Sequence, residues 1–289
     1  MAYQIFTDAT ADLTDELLEG LPEVTVIPMA IEIGGLEFSY GLKGGITVQS
    51  FYDLQRQGAF AKTSQINPEA YVHAFEGALA EGLDVVYLCF SSGMSGCLQS
   101  ARIAAEELGE RYPNRRIICI DTLCASVGEA LLVMEAARHQ ARGESLEELE
   151  QWILQTRGYV CHWFTVDTFD HLKHGGRVGA ASAAMGTMLN IKPMLHVDEM
   201  GKLAVSAKPR GRKKAMEAQL AQMDKGWTPV LSNLVVIGHG DCPEAAEELK
   251  TEVLSRFPQA DIRIAPIGPV IGAHTGPGML ALIYWGNNR

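Results

Sequence analysis

Residues 84–108 contain an apolar segment, a loop of serine and glycine, and a helical pattern, and this order strongly limits what the chain can fold into. The segment DVVYLCF has no charged residue after its first position, which is typical of a strand buried on both faces. Similar strands at 3–7, 24–33 and 116–120 alternate with helical segments along the first half of the chain. The alternation predicts an α/β fold with a mostly parallel sheet flanked by helices.

Helix signals occupy the gaps between these strands. Asn67 and Pro68 predict a helix start, because Asn is a good N-cap and Pro suits the first helical turn. Further helices are predicted at 97–110 and 130–140, and the strand at 24–33 is expected to turn at Gly34-Gly35.

The second half of the chain has a different pattern. A strand at 159–166 is followed by a short helix, and the segments 191–197 and 202–207 are predicted to form an antiparallel hairpin. We therefore expect a smaller C-terminal α+β domain with a largely antiparallel sheet over 166–289, after an N-terminal α/β domain over 1–165.

The distribution of charge supports the division into two domains, and the net charge argues against nucleic-acid binding. Residues 1–165 carry 10 basic and 23 acidic side chains, whereas residues 166–289 carry 14 and 12. The net charge of −11 argues against nucleic acid as the main partner. Because the chain has neither an 18-residue apolar run nor a secretory signal pattern, we expect no transmembrane segment and a cytoplasmic protein with reduced cysteines.

The loop at 91–96 has the features of an anion site. A helix that follows a small-residue loop presents free backbone N–H groups, and Ser91, Ser92 and Ser95 add hydroxyl donors. Gly93 and Gly96 would let a ligand approach the backbone. The loop lacks the lysine of a nucleotide P-loop and the spacing of a G-x-S-x-G nucleophile elbow, so it predicts a cradle for an anionic head group.

Three more residues are candidates for the same site. Thr63 precedes the capped helix, Arg177 follows two glycines, and His274 lies in a predicted Gly/Pro-rich loop. A guanidinium pairs well with a carboxylate or phosphate, and a histidine can donate to an anion or act as an acid–base. The alternatives are ordinary ones: Thr63 and Ser95 as local helix caps, Arg177 as a surface residue, and His274 as a solvated one.

Other chemistry has weaker sequence support. Ser95 and His274 with Asp8 or Asp121 would form a catalytic triad, which defines an acyl-transfer enzyme or hydrolase as the alternative function. Cys97 at a helix start is a candidate reactive thiol. No credible ligand set for a metal is present, and no cofactor is predicted. Docking to an acidic partner or to nucleotide phosphates is one interpretation of a basic cluster: Lys208, Arg210, Arg212, Lys213 and Lys214.

Taken together, these motifs resemble the DegV family of bacterial fatty-acid-binding proteins. The resemblance spans nearly the whole chain and rests on these segments in order: TDATADL (7–13), TSQINP (63–68), SSGMSGCLQSA (91–101), DTFDHLKHGGRVGAASAAMGTMLNIKPML (167–195), RGRKKA (210–215) and IGPVIGAHTGPGMLAL (267–282). Cys97 and Met94 depart from the usual Thr and Leu of the SSG-x-SG loop, and DTLCAS (121–126) departs from the usual DS-x-x-AS.

The resemblance implies two α/β domains with one long-chain fatty acid buried in a tunnel between them. It also implies that Thr63, Ser95, Arg177 and His274 hold or surround the carboxylate, with Ser92, Gly93 and Gly96 in the supporting loop. The family role is that of a carrier without catalytic residues. A separate ATP-dependent fatty acid kinase then uses the bound carboxylate to make acyl phosphate for phospholipid synthesis.

Overall fold

The first half of the chain forms a parallel sheet of four strands, as the apolar segments predict. The computed structural model describes residues 2–42, 45–178, 190–287 and 289. The strands of this half are β1 (Tyr3–Asp8), β2 (Val24–Ile27), β3 (Met29–Ile33), β4 (Leu36–Tyr40), β5 (Lys62–Thr63), β6 (Asp84–Cys89) and β7 (Ile117–Asp121). The order β2–β1–β6–β7 gives the main sheet, and its three pairings are all parallel.

The helices of this half connect these strands and cover the sheet. They are α1 (Asp15–Leu18), α2 (Val48–Arg56), α3 (Pro68–Ala80), α4 (Cys97–Arg111), α5 (Val127–Ala141) and α6 (Leu146–Thr156). Helix α3 begins as predicted, because the Asn67 side chain accepts a hydrogen bond from the Ala70 amide and Pro68 occupies the first turn.

The prediction of one strand over 24–33 is wrong. Pro28 separates two strands that belong to different sheets. Because proline has no N–H to donate, it interrupts the hydrogen-bonded ladder at this point. Strand β3 instead pairs antiparallel with β4 and β5 in a small second sheet, and this sheet carries Thr63.

The second half forms a six-stranded mixed sheet with the order β10–β9–β8–β13–β11–β12. Its strands are β8 (Val160–Thr165), β9 (Met194–Val197), β10 (Leu203–Ala207), β11 (Leu234–His239), β12 (Asp261–Pro266) and β13 (Leu280–Trp285). Only β11 and β12 pair in parallel, so the prediction of a largely antiparallel sheet is confirmed. The helices are α7 (Asp170–His174), α8 (Arg212–Gly226), α9 (Pro243–Arg256) and α10 (Pro269–Thr275).

The sheets also bear on where one domain ends and the next begins. Strand β8 pairs with β13 and β9, so residues 160–165 belong to the second sheet rather than to the predicted domain 1–165. We therefore propose a boundary before Val160.

The two main sheets share one hydrophobic core. Helix α5 is buried from Val127 to Ala137 and contacts strands of both sheets. The same cluster of buried side chains includes Ile5 and Val86 from the first sheet and Phe164 and Val236 from the second. Burial of this apolar surface is the main force that holds the halves together.

Candidate functional site

A cavity that is partly open to solvent is lined by residues from both halves of the chain. Fourteen of its 22 lining residues are apolar, among them Met29, Phe90, Phe164 and Ile283. The polar ones are Thr10, Thr63, Ser95, Ser126, His162, Arg177, His274 and Thr275. A cavity of this composition suits a largely apolar ligand with a small polar group.

All four residues predicted to surround the anionic group line this cavity. They come from segments far apart in the sequence, and two of them touch: Thr63 Oγ1 and His274 Nε2 form a hydrogen bond of 2.9 Å. The fold therefore brings Thr63, Ser95, Arg177 and His274 to one cavity.

The TSQ segment fixes Thr63 beside the helix α4 start. Thr63 pairs with Ile31 in the small sheet, and the Ser64 amide donates to the Ala30 carbonyl over 3.1 Å. Gln65 Nε2 then donates to Ser100 Oγ on α4 over 2.7 Å. Because Ser95 immediately precedes α4, this contact ties the two predicted hydroxyl residues to one local framework.

The Ser/Gly loop differs from the predicted backbone cradle. The amides of Ser92, Gly93, Met94, Ser95 and Cys97 already donate to protein oxygens, so these five do not form the free cradle that the sequence predicts. The physical reason is that the Ser91 carbonyl, the Ser91 and Ser95 hydroxyls and the Asp121 carboxylate satisfy those donors before any ligand arrives.

Only one of the three loop hydroxyls faces the cavity. Ser91 Oγ donates to the Gly201 carbonyl over 2.7 Å, and Ser92 Oγ donates to the Asp121 carboxylate. Ser92 thus holds the loop to β7, and Ser91 holds it to the turn between β9 and β10. Ser95 lines the cavity, and its oxygen accepts the Cys97 amide at 3.2 Å.

Gly93 and Gly96 also contact the protein rather than open space. A Cβ on Gly93 would meet the carbonyl oxygens of Met200 and Gly201, and one on Gly96 would meet the Gln65 side chain. Both glycines therefore support the loop through close packing.

His274 lies in the last turn of α10 and not in the predicted loop. Pro269 at the first helical position starts this short helix, and Gly276 follows its end. The His274 imidazole lies directly against the Gly175 backbone. The space left by the missing side chain of Gly175 is therefore filled by this histidine.

Burial governs the charge of His274. Burial is the largest of the causes that lower the pKa of the imidazole to about 4, and the nearby Arg177, His174 and His171 contribute to the same shift, so the ring is neutral near pH 7. Its Nδ1 is buried against the Gly175 backbone and has no hydrogen-bond partner among the residues that the structure describes. The other ring nitrogen, Nε2, is the one that contacts Thr63.

Arg177 is exposed at the edge of the cavity. One guanidinium nitrogen donates to the Gly175 carbonyl over 2.5 Å, next to the His274 ring. Arg177 therefore caps the end of α7 and also lines the cavity.

Three residues that the sequence interpretation missed hold α10 in place. Tyr52 Oη donates to the Ile267 carbonyl over 3.0 Å, Gln55 Nε2 donates to the Gly272 carbonyl over 2.9 Å, and the Gly268 amide donates to Asp12 Oδ1 over 2.8 Å. Asp12 is the second acidic residue of the TDATADL segment, and this residue is the feature of the sequence that could have indicated the contact. The other two come from a helix with no distinguishing motif.

Asp12 also binds the start of α5. Its carboxylate accepts a hydrogen bond of 2.5 Å from Ser126 Oγ, and burial raises the pKa of Asp12 to about 8. Ser126 has φ 56° and ψ −143°, a backbone conformation that is costly for any residue except glycine. The Asp12 contact helps hold this strained residue in the cavity wall.

The predicted catalytic triad does not form. His274 Nε2 contacts Thr63 instead of Ser95, and no carboxylate partners its Nδ1 within the described part of the chain. Asp8 accepts from Thr10 and Tyr87, while Asp121 accepts from the Ser92 hydroxyl.

The remaining chemical candidates also lack a suitable environment. Cys97 is fully buried and burial raises the pKa of its thiol, so the expected lowering at a helix start is wrong. Among the described residues, no group of three or more His, Cys, Asp and Glu side chains could hold a metal ion. No helix in those ranges is long and apolar enough to cross a membrane.

Comparison with known proteins decides the family. The model of the uncharacterised DegV family matches residues 2–287. The chain belongs to the DegV family. A DegV domain-containing protein of Clostridium perfringens is 38% identical over 287 residues, which cover 99% of this chain and 98% of the relative.

Solved DegV structures have the same fold. A DegV family protein from Thermus thermophilus, described as fatty-acid-binding, has a TM-score of 0.87 at 31% identity and covers 99% of this chain and 100% of its own. A stearic acid-binding protein from Eubacterium ventriosum has a TM-score of 0.84 at 28% identity and covers 97% of each chain. The resemblance to the DegV family and the predicted α/β fold are thereby confirmed.

Proposed function

We propose that this DegV protein binds one long-chain fatty acid in the cavity, with its carboxylate at Thr63, Ser95, Arg177 and His274. The observation that carries the proposal is the convergence of these four polar side chains on a mainly apolar cavity. In this arrangement Arg177 supplies positive charge, the Ser95 and Thr63 hydroxyls supply hydrogen bonds, and His274 holds Thr63 through its Nε2.

Energetics favour an apolar chain as the main source of affinity. Burial of one methylene contributes about 0.8 kcal/mol, so a C16 tail supplies on the order of 11 kcal/mol before entropic costs. A hydrogen bond to a charged group contributes about 1.5–3 kcal/mol. The tail therefore provides affinity, whereas the polar residues fix the position of the carboxylate.

The ligands of related proteins support the same assignment. The neighbours from Thermus thermophilus and Eubacterium ventriosum are described as binding a fatty acid and stearic acid. Both exceed 25% identity over nearly the whole chain, so the comparison extends beyond the fold alone.

We further propose that the protein is a cytoplasmic carrier that presents the carboxylate to a separate ATP-dependent fatty acid kinase. The DegV resemblance of the sequence motifs supports this role. The basic cluster offers a docking surface for an acidic partner, because Lys208, Arg210, Lys213 and Lys214 are exposed. Arg212 is less available, since it donates to Asp167 and to the Gly278 carbonyl.

Two variants separate binding from presentation. We expect Thr63→Ala and Ser95→Ala to weaken oleate binding by about 10-fold to 150-fold, because each removes one hydrogen bond to the carboxylate while the tail contacts remain. Acyl-phosphate formation with the partner kinase should fall far more, since the carboxylate is no longer held in one orientation.

The control is Ser255→Ala, which makes the same chemical change on the exposed face of α9. Turnover that stays at the wild-type level in Thr63→Ala and Ser95→Ala would refute the presentation role. Ester hydrolysis that is lost in Ser95→Ala would instead favour the hydrolase alternative.

A further inference from the structure

We infer that the cavity selects fatty acids whose tail carries no polar group, and that it rejects tails bearing a hydroxyl or a second carboxylate. The inference deepens the proposed function and rests on it. Its basis is the difference between two sets of polar side chains in the cavity wall: those with unused hydrogen-bond donors and those whose donors are already bonded within the protein.

Two threonines of the wall use their hydroxyls inside the protein. Thr10 Oγ1 donates toward the carboxylates of Asp8, at 2.5 Å, and Glu129, at 3.0 Å. Thr275 Oγ1 donates to the Ile271 carbonyl one helical turn earlier, over 3.1 Å. Both are buried, and both hydroxyls are directed to these acceptors.

Ser126 and His162 also form their hydrogen bonds within the protein. Ser126 Oγ donates to Asp12 over 2.5 Å. His162 Nε2 accepts the Ala125 amide at 3.2 Å, and Nδ1 lies 2.9 Å from the Val160 carbonyl, so both ring nitrogens are used. Burial lowers the pKa of His162 to about 3, which keeps the ring neutral and this pairing intact.

The carboxylate end is different. Arg177 lies exposed at the cavity edge and places one guanidinium nitrogen on the Gly175 carbonyl, so its other N–H groups can bind a ligand oxygen. Ser95 also lines the cavity, and its oxygen accepts the Cys97 amide, which leaves the hydroxyl hydrogen for a ligand. Unused hydrogen-bond donors are therefore found beside the proposed carboxylate position.

The hydroxyls of Thr10, Ser126 and Thr275 keep lone pairs that can accept from a tail hydroxyl, but beyond the head-group residues the described side chains of the wall have no free donor for an oxygen of the tail. A tail hydroxyl would therefore lose hydrogen bonds to water that the wall replaces only in part, and a tail carboxylate, which only accepts, would gain none. The penalty for a hydroxyl oxygen without a donor corresponds to binding that is about 5-fold to 150-fold weaker, and an ionised carboxylate costs more.

Binding measurements on the delipidated wild-type chain test the inference. The ligands are stearate, 12-hydroxystearate, octadecanedioate and 12-methylstearate, and the methyl branch serves as a control because it adds similar bulk without polarity. We expect stearate to bind tightly, the hydroxylated acid to bind at least about 5-fold more weakly than the methyl-branched one, and the diacid to bind weakest.

The possible failures are distinguishable. Equal affinity for the hydroxylated and methyl-branched acids, or a diacid that binds as well as stearate, would overturn the selectivity while leaving fatty acid binding intact. Failure of all four acids to bind would refute the proposed function itself.

Discussion

Substitution of Gly175 by alanine tests how the head-group residues are held in place. Gly175 has φ −76° and ψ −9°, so alanine fits the backbone without strain. Its new Cβ, however, would overlap the His274 imidazole. The ring would have to shift, which would disrupt its 2.9 Å hydrogen bond to Thr63.

The size of the effect follows from these contacts. Overpacking of a buried site costs about 1–3 kcal/mol, and a buried imidazole nitrogen that loses its partner costs about 1–3 kcal/mol. We therefore expect Gly175→Ala to lower the free energy of unfolding by on the order of 2–6 kcal/mol. Oleate affinity should fall by about 10-fold to 150-fold, since Thr63 is no longer held in place by His274 and its hydrogen bond to the charged carboxylate is lost.

Gly77→Ala provides the matched control. Gly77 lies in the interior of α3, and a Cβ there meets no atom within 4 Å. This variant should be stabilised by about 0.5–1 kcal/mol and bind oleate normally, because alanine favours the helix. Urea unfolding, oleate titration and the imidazole ¹⁵N resonances of His274 are the measurements. Wild-type affinity with unchanged His274 resonances in Gly175→Ala would refute the reasoning.

Three further predictions concern charge and packing around the cavity. Burial lowers the pKa of His162 to about 3, so below pH 6.5 the unfolded chain binds a proton at this residue that the folded chain does not bind. The free energy of unfolding, measured with urea, should therefore fall as the pH drops from about 6.5 towards 3, and it should fall less steeply in His162→Gln. Burial raises the pKa of Asp12 to about 8, so the wild type loses stability as the pH rises from about 4 to 8. The difference in free energy of unfolding between the wild type and Asp12→Asn should therefore shrink over this pH range, and a constant difference would contradict the prediction. Gly93→Ala would push against the carbonyls of Met200 and Gly201, so calorimetry should show a destabilisation of about 1–3 kcal/mol, and oleate retention should fall as the wall formed by β9 and β10 shifts.

The helices and strands that were predicted best are those for which hydrophobic pattern, capping residues and turn residues all indicate the same structure. The apolar run at 84–90 becomes β6, and Asn67 with Pro68 starts α3, because burial on both faces and helix capping leave direct traces in the sequence. Pro28 was a visible break that the apolar residues around it obscured. Strand β4 has mostly exposed or half-buried side chains, so its hydrophobic pattern is weak.

The site was only partly predictable for a different reason. The sequence marks Thr63 and His274 as unusual, yet they are 211 positions apart, and only the fold brings them within hydrogen-bond distance. The contacts of Asp12 with Ser126 and Gly268 also join distant segments. Residue type and spacing carry little information about such pairs, and the family resemblance supplied the set of four polar residues.

Native mass spectrometry of the purified chain tests the central claim most directly. We predict one population carrying a single long-chain fatty acid, and a delipidated protein that takes up one equivalent of oleate. A protein that is empty on purification and remains empty in the presence of oleate would contradict the account.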